Sequence, residues 1–599
     1  SNNWQTTYQG GITTIPATSN WIIRRNSAVA IPMSSTTPAS GSVYPNLTIE
    51  NNAAAWITPV GSSFTGNTIN VTIKGNLDIG GVGTNTVDFL ISNTHANPTV
   101  VMGNLTVRTG NAIRNYGTGI EVRGNLTCDG TIGYDANDAR RIIFGGAVNQ
   151  TVSGTGTLGV WDMTLSKSAG AVTLNRIVTV NNLATFTWGV MNTTAANLLI
   201  IAAAGSVTAA NPNSFVDGPV RYLGSGAFTF PTGDVADYQA IGISGYTPVG
   251  TIWTEPFSNG CTQLCLANGY NGWNVVSTGT NGTSANEFYI SCQENGNAAG
   301  ACGSGCAADP SLHVGNVSTS PAAPFFCPTG DCGAAYDAGV GSGTCATSWR
   351  AQSPAVNCTG YGNLVVSFNY MEGGDGTNDN ALLWYYNGAA WSLLVDLPKT
   401  VLCGVQGTWT AYSYALPASA NNNPNVRIGF QWVNNDDAAG ADPSFAVDDV
   451  SISVQEYFTA QYIYQNPQVP YGSTMAPSLL YLSNCEYWLL DRAVGSFTST
   501  AVTLTWDANS CPVWAVPDLR VARYDGTSTW QNEGSASTTG TTAAGTITSN
   551  LVTTFSPFTL AAITTDPLPV TLLNFTAFYQ DGLVNLDWIT ASEINNDYF

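Results

Sequence analysis

Charge is scarce in this sequence. Only 9% of the 599 residues are Asp, Glu, Lys or Arg, against about 25% in an ordinary soluble chain. Lysine occurs only at Lys74, Lys167 and Lys399, and histidine only at His95 and His313. With 17 basic against 38 acidic side chains, the formal net charge is −21. Such a chain repels polyanions, which excludes nucleic acid as a partner and disfavours an anionic lipid surface. Long apolar runs are missing too. A bilayer-spanning helix needs roughly 20 apolar residues, and the longest run here, residues 198–204, has the length of one or two buried strands. No membrane span is expected. There is no amphipathic helical repeat and no HExxH, Walker or GxSxG motif, and the two histidines stand far apart in sequence. No catalytic residue is assigned and the chain is read as a non-enzyme. The acidic balance is that of an extracellular protein kept in solution by like charge.

What the sequence has instead is Gly, Ser, Thr and Asn between short runs of β-formers, a composition for strands and turns. One phrase recurs: KGNLDIGG at 74–81, MGNLTVRTG at 102–110 and RGNLTCDG at 123–130, with a weaker PNLTIENN at 45–52. The leucines Leu47, Leu77, Leu105 and Leu126 are separated by alternating runs such as Val87-Phe89-Ile91 and Ile120-Val122. Alternation with period two buries one face of each run, and an irregular repeat of about 20 to 30 residues made of short strands predicts a β-solenoid. Leucine then stacks on leucine. Asn76, Asn104 and Asn125 stack at one corner, each bonding the next coil, while Gly or Asn supplies positive φ at the corners. The solenoid is expected over 1–213, with its regular pattern fading near Val207. The NLT and NVT triplets also match a glycosylation acceptor, but their regular spacing inside strands favours the coil. A catalytic groove on the solenoid is not expected: Asp78 and Glu121 fall at different phases, and Asp135 and Asp138 sit in a turn-like YDANDARR loop.

The next stretches carry resemblances. Residues 214–244, SFVDGPVRYLGSGAFTFPTGDVADYQAIGIS, resemble a connector in surface proteins exported by the type IX secretion system of certain Gram-negative bacteria; the connector is taken as 214–250. Residues 251–454, opening EPFSNGC and closing FAVDDVSI, resemble an adhesin-type jelly roll related to MAM domains, with a hairpin at Tyr386-Asn387-Gly388. The resemblance implies a structural calcium held by Glu255, Asp448 and Asp449, with Asp379 and Asn380 as further candidates, in a shell of six to eight oxygens. Residues 455–565, with EYWLLDR, TLTWDANSC and DLRVARYDG, resemble a β-sandwich of the same cargo class. There Arg492, Arg520 and Arg523 are expected to pair with Asp491, Asp507 or Asp518. Residues 566–599, with LPVTLLNFTA and WITASEINNDYF, resemble the start of an Ig-like or fibronectin-like module. Two strands cannot close a sandwich core, so this tail is expected to continue in the native chain or to complete a sheet in another subunit.

Ten of the 13 cysteines lie between Cys261 and Cys403. Even counts per segment imply disulfides and an oxidising compartment: Cys261, Cys265, Cys292, Cys302, Cys306, Cys327, Cys332, Cys345, Cys358 and Cys403 within the jelly roll, and Cys485 with Cys511 beyond it. Cys128 is expected to be free in a core. The whole is therefore read as all-β: solenoid, jelly roll, sandwich and the first strands of an Ig-like module. The function expected is that of an extracellular structural or adhesive surface protein, self-associating into a filament, sheath or matrix layer. The alternative is a carbohydrate-binding part of a secreted glycan-active protein or gliding-type adhesin, with Trp384, Tyr385, Tyr386 and Trp391 stacking on a surface glycan. Alternation puts about half of those rings in the core.

Overall fold

The computed structural model describes residues 20–25, 42–51, 71–80, 88–91, 97–115, 119–132, 141–208, 210–224, 226–235, 237–245, 250–259, 264–303, 305–316, 331–339, 344–375, 378–403, 406–440, 442–493, 499–513, 515–555, 557–564 and 572–590. They are all-β, and the α-helix among them is the single turn Gln468–Tyr471. The chain divides into two compact units: Ser1–Thr247 with Tyr457–Arg492 and Thr498–Phe599, and Pro248–Glu456 with Ala493–Phe497.

In the first unit, three short strands make one coil. Val71–Ile73, Leu77–Ile79 and Asp88–Ile91 are followed by Thr99–Val101, Leu105–Val107 and Ala112–Asn115, each parallel to its counterpart one coil earlier. The register sets Leu47 on Leu77, Leu77 on Leu105, Leu105 on Leu126 and Leu126 on Val152, and all five side chains are buried. Cys128 lies over Val107 in the neighbouring inward column, a buried free thiol filling an aliphatic position.

The corner asparagines form the expected ladder. Asn76 N donates to Asn46 Oδ1 at 2.7 Å, Asn104 N to Asn76 Oδ1 and Asn125 N to Asn104 Oδ1 at 2.8 Å, and Thr151 N to Asn125 Oδ1 at 2.8 Å. Each amide side chain thus satisfies the backbone N–H of the next coil, which has no strand partner at the corner. The glycines of GNL work differently from the expectation. Gly103 and Gly124 have no positive φ. They are glycine because a Cβ at Gly124 would lie 2.5 Å from the Gly103 carbonyl carbon and 2.6 Å from Asn104 Oδ1. Close stacking of backbone on backbone, rather than a left-handed turn, excludes a side chain there.

The parallel stack runs on past Val207. Ser214–Asp217 pairs with residues 189–192, Val220–Tyr222 with Leu199–Ile201, and Thr232–Asp234 with Ser214–Asp217. FVDGPV and FPTG therefore lie in the last coils. An antiparallel strand ends the stack: Phe458–Ile463 pairs with Val220–Tyr222, setting Ala460 opposite Val220. Beside it, Ile241–Ser244 pairs with Ala501–Trp506. The stretch 214–244 and the chain beyond 457 thus share sheets and one hydrophobic core, with Phe230, Ile241, Trp488, Leu504 and Val521 fully buried. Here Arg523 pairs with Glu533 at 2.6 Å, not with the aspartates expected, because Glu533 follows the Trp530–Asn532 strand that pairs with the arginine's own. Arg520 donates to the carbonyls of Pro517 and Leu519.

The second unit is a sandwich of two antiparallel sheets. One has the order Cys265–Leu266, Glu287–Ser291, Ser311–Gly315, Phe445–Val454, Leu364–Glu372, Thr410–Ala415, with Thr251–Glu255 also pairing with Phe445–Val454. The other runs Asn274–Ser277, Thr347–Gln352, Arg427–Asn434, Asn380–Tyr386, Trp391–Asp396. Phe288, Val314, Phe368, Phe430 and Trp432 fill the space between.

Disulfides join Cys292 to Cys306, Cys302 to Cys403, and in the first unit Cys485 to Cys511. Cys265 and Cys332 are also disulfide-bonded, while Cys261 and Cys327 lie outside the described residues. The expectation fails at Cys345 and Cys358, which are buried free thiols. Cys358 packs in the apolar core of the sandwich, and Cys345 sits beside Thr344 and Asp337. Each behaves as a small buried hydrophobe rather than half of a staple.

The hairpin Leu572–Gln580 with Leu583–Thr590 pairs with no other sheet among the described residues. Its register brings Phe575 opposite Trp588, Ala577 opposite Leu586 and Tyr579 opposite Val584, so one face is wholly apolar, yet Tyr579 is 74% and Val584 64% exposed.

Two predictions follow from these cores. Replacing Asn104 by Ala removes one ladder bond at a partly hydrated corner and should cost about 1 kcal/mol, whereas Leu105→Ala should cost about 2–5 kcal/mol. Urea unfolding reads both, and equal costs would contradict the ladder-plus-column account. The second concerns Glu486, which is fully buried; it accepts from Tyr462 Oη at 3.0 Å and Ser510 Oγ at 3.2 Å through one oxygen, while Oε1 has no partner. Burial pushes its carboxyl up to about 7 from 4.5. Between those values the folded state holds the proton that the unfolded state has released, so stability falls as pH rises. Glu486→Gln should therefore increase the free energy of unfolding at pH 8, by about 3 kcal/mol at most, and change it little at pH 4.5, as urea unfolding at the two pH values would read.

Candidate functional site

The five residues proposed for calcium fall into two groups in the second unit. Glu255 pairs opposite Val450, two positions from Asp448 on the same neighbouring strand. Its carboxylate is already engaged by three donors, Phe257 N at 2.8 Å, Asn271 Nδ2 at 3.1 Å and Trp273 Nε1 at 3.1 Å. Asp448 is buried, accepts from Asp449 N at 2.7 Å and from Asn297 Nδ2, and burial pushes its carboxyl up to about 9, with Asp449 and Asp309 adding like charge. Asp449 is exposed, with φ 52°.

Asp379 and Asn380 lie elsewhere, at the start of the Asn380–Tyr386 strand in the other sheet. Asp379 accepts from Tyr336 Oη at 2.6 Å, and burial raises its carboxyl to about 6. The cation of this group is internal. Lys399 Nζ donates to Glu372 Oε1 at 2.5 Å and to the Asp379 carbonyl at 2.7 Å. Burial still pushes Glu372 up to about 7 against the pull of that ammonium. Lys399 occupies the position that a metal using the Asp379 backbone would take, so this pair does not join the first group. Among the described residues no group of three or more His, Cys, Asp and Glu side chains is placed to hold a metal.

The aromatic residues are separated as alternation requires. Tyr385 is in the core, and Trp384, Tyr386 and Trp391 are half-buried on the outer face of the five-stranded sheet. The Asn387-Gly388 turn sets Tyr386 opposite Trp391, with ring centroids 5.3 Å apart. Trp391 reaches across to Gly429, where an added Cβ would lie 2.8 Å from the indole and 2.9 Å from Arg350 Cδ. Gly429 is thus the floor of a stack. The Arg350 guanidinium carbon lies 4.1 Å from the Trp391 ring centre and 5.0 Å from that of Trp384.

Arg350 was not singled out in the sequence, and its setting is unusual. It is only 8% exposed. With the Gln352 amide turned to satisfy both groups, that oxygen accepts from Arg350 Nε and Nη2 at 3.2 Å. Burial lowers its pKa, and no carboxylate offsets the effect. Directly across the strand pair stands Gln431, whose Nε2 donates to Ser348 Oγ while Oε1 has no partner. An arginine in a strand next to tryptophan, far from any acid in sequence, was the available signal.

The remaining sequence candidates have structural roles or lie outside view. Asp78 pairs with Arg108 at 2.7 Å and Glu121 with Arg123 at 2.6 Å on the solenoid surface. His313 is fully buried, its Nδ1 at 3.0 Å from the Ser311 carbonyl, and burial lowers its pKa to about 4, so it is neutral. Asp135, Asp138 and His95 lie outside the described residues. Lys167, another residue the sequence did not flag, is buried in the solenoid and donates to Gln150 Oε1 at 2.6 Å.

No protein-family model and no curated protein matches the chain. Solved structures give remote likenesses. The adhesin domain of Lys-gingipain from Porphyromonas gingivalis W83 is 12% identical with a TM-score of 0.20, over 34% of this chain and 97% of that one. The Endo-D glycoside hydrolase domain from Streptococcus pneumoniae R6 is 14% identical with a TM-score of 0.16, over 47% and 32%. The enzymatically active domain of tailspike protein 4 from bacteriophage CBA120 is 10% identical with a TM-score of 0.20, over 68% and 64%.

Proposed function

We propose that the chain is an extracellular structural and adhesive surface protein that self-associates into a filament, sheath or matrix layer. The observation that carries this reading is the hairpin of Leu572–Gln580 and Leu583–Thr590, where Phe575, Tyr579, Val584 and Leu586 on one face are exposed. An apolar sheet face of this kind is stable when another surface covers it, and a second copy supplies that surface. The disulfides support an oxidising, extracellular setting. Export as a type IX cargo rests on the resemblance of residues 214–244 and 566–599. Catalysis is not part of this proposal. A second reading, glycan binding by the jelly roll, is favoured by the placement of Trp384, Tyr386 and Trp391 together on one outer face.

Removal of residues 566–599 should abolish or strongly reduce the assembly seen by sedimentation and electron microscopy. Unchanged polymers would show that other faces drive assembly, and a monomeric full chain would end the assembly reading. Structural calcium, on this proposal, sits at the Glu255, Asp448 and Asp449 end alone. Chelation should then lower the unfolding midpoint of the intact chain and Asp448→Asn should remove that sensitivity; a midpoint indifferent to chelator removes calcium from the account.

A further inference from the structure

We propose that the outer face of the five-stranded sheet binds a carboxylated sugar, its ring against Trp384, Tyr386 and Trp391 and its carboxylate on the Arg350 guanidinium. This inference rests on the glycan-binding reading above and gives it a ligand class. In a chain of net charge −21, Arg350 is a buried cation with no carboxylate neighbour among the described residues. Removing a charge from water without a counter-charge is costly, and the two indoles that flank it return part of that cost through their π faces. A ligand carboxylate would supply the rest, because the planar guanidinium fork matches a carboxylate in two parallel hydrogen bonds. Gln352 engages Nε and Nη2, which leaves Nη1 and the second Nη2 hydrogen as donors.

The same observations limit the ligand. Arg427, opposite Tyr386 on this face, donates to the Ser353 carbonyl and makes no ion pair among the described residues, so positive charge here is local and small. The rest of the chain repels a polyanion at long range. The ligand is therefore a largely neutral glycan with isolated carboxylated residues, not a polyuronate. The carboxylate can come from a hexuronic acid or from a sialic acid.

The test uses the full chain and calorimetric titration at physiological salt with four probes. These are a neutral oligosaccharide ending in one glucuronic acid, its methyl ester, sialyllactose and lactose. At least one acid should bind, and at least tenfold more tightly than its ester or neutral counterpart; which acid binds identifies the source. Arg350→Met should erase that discrimination, so that acid and neutral forms bind alike. This readout does not depend on the absolute affinity, and Arg350→Lys, which keeps the charge but not the fork, should lose most of it. Trp391→Ala should weaken every sugar that binds. Equal binding of acid and neutral forms to the unaltered chain overturns the inference while leaving glycan binding intact. Failure of all four probes overturns both. Discrimination that persists in Arg350→Met assigns the carboxylate to another group and also overturns it.

Discussion

A stack of parallel coils satisfies its backbone only through its neighbours, and so it has two ends that it cannot satisfy by itself. Inside the stack the requirement is met twice over, by strand-to-strand bonds along each face and by the Asn46, Asn76, Asn104 and Asn125 side chains at the corner. At the far end it is met by a change of direction, where Phe458–Ile463 lies antiparallel on Val220–Tyr222. Without such a strand the last coil would present an open edge of the kind that recruits other chains. The organisation of the first unit follows from that need. The same strand leads into the Tyr487–Arg492 and Leu519–Tyr524 sheet, so the closure of the solenoid and the core of the neighbouring sandwich are one packing problem.

The local parts of this fold were legible in the sequence. Leucine spacing gave the stacking of Leu47, Leu77, Leu105 and Leu126, because a column of buried side chains leaves a period behind it. Asparagine in the same phase gave the ladder. The reason for glycine before it was not legible, since positive φ and close stacking both demand glycine and leave the same letter. Long-range pairing was invisible: Arg221 donates to Thr459 across 238 residues of sequence, and no pattern marks such partners. Cysteine parity misled at Cys345 and Cys358, because an even count is satisfied equally by bonded pairs and by an even number of free thiols.

At the candidate site the sequence found the rings but not the charge between them. Alternation correctly sent Tyr385 inward and left Trp384 and Tyr386 outside. Arg350 escaped notice because its meaning comes from what surrounds it in space, two indoles and an absent acid, rather than from a motif. The calcium candidates divide into two groups for a similar reason. Resemblance transfers residue types, but the Lys399 ammonium bonded to Glu372 and to the Asp379 carbonyl is a neighbour that only the fold reveals. In a chain this poor in charge, buried ionisable groups have few opposite charges to offset burial. Glu486, Glu372, Asp448 and Lys167 are therefore governed more by desolvation than by partners.

The inserted unit also has a bearing on the time course of folding. Its first and last strands are paired, with Thr251 opposite Ser453 and Val454 N bonded to the Gly250 carbonyl, so once it has folded its two ends lie side by side. A loop of about 200 disordered residues would make the encounter of Val220–Tyr222 with Phe458–Ile463 slow and entropically costly. A folded insert with adjoining ends removes its own length from that loop and leaves residues 223–250 and 455–457 to span it. On loop-closure grounds, folding the jelly roll before the solenoid receives its terminal strand is the less costly order.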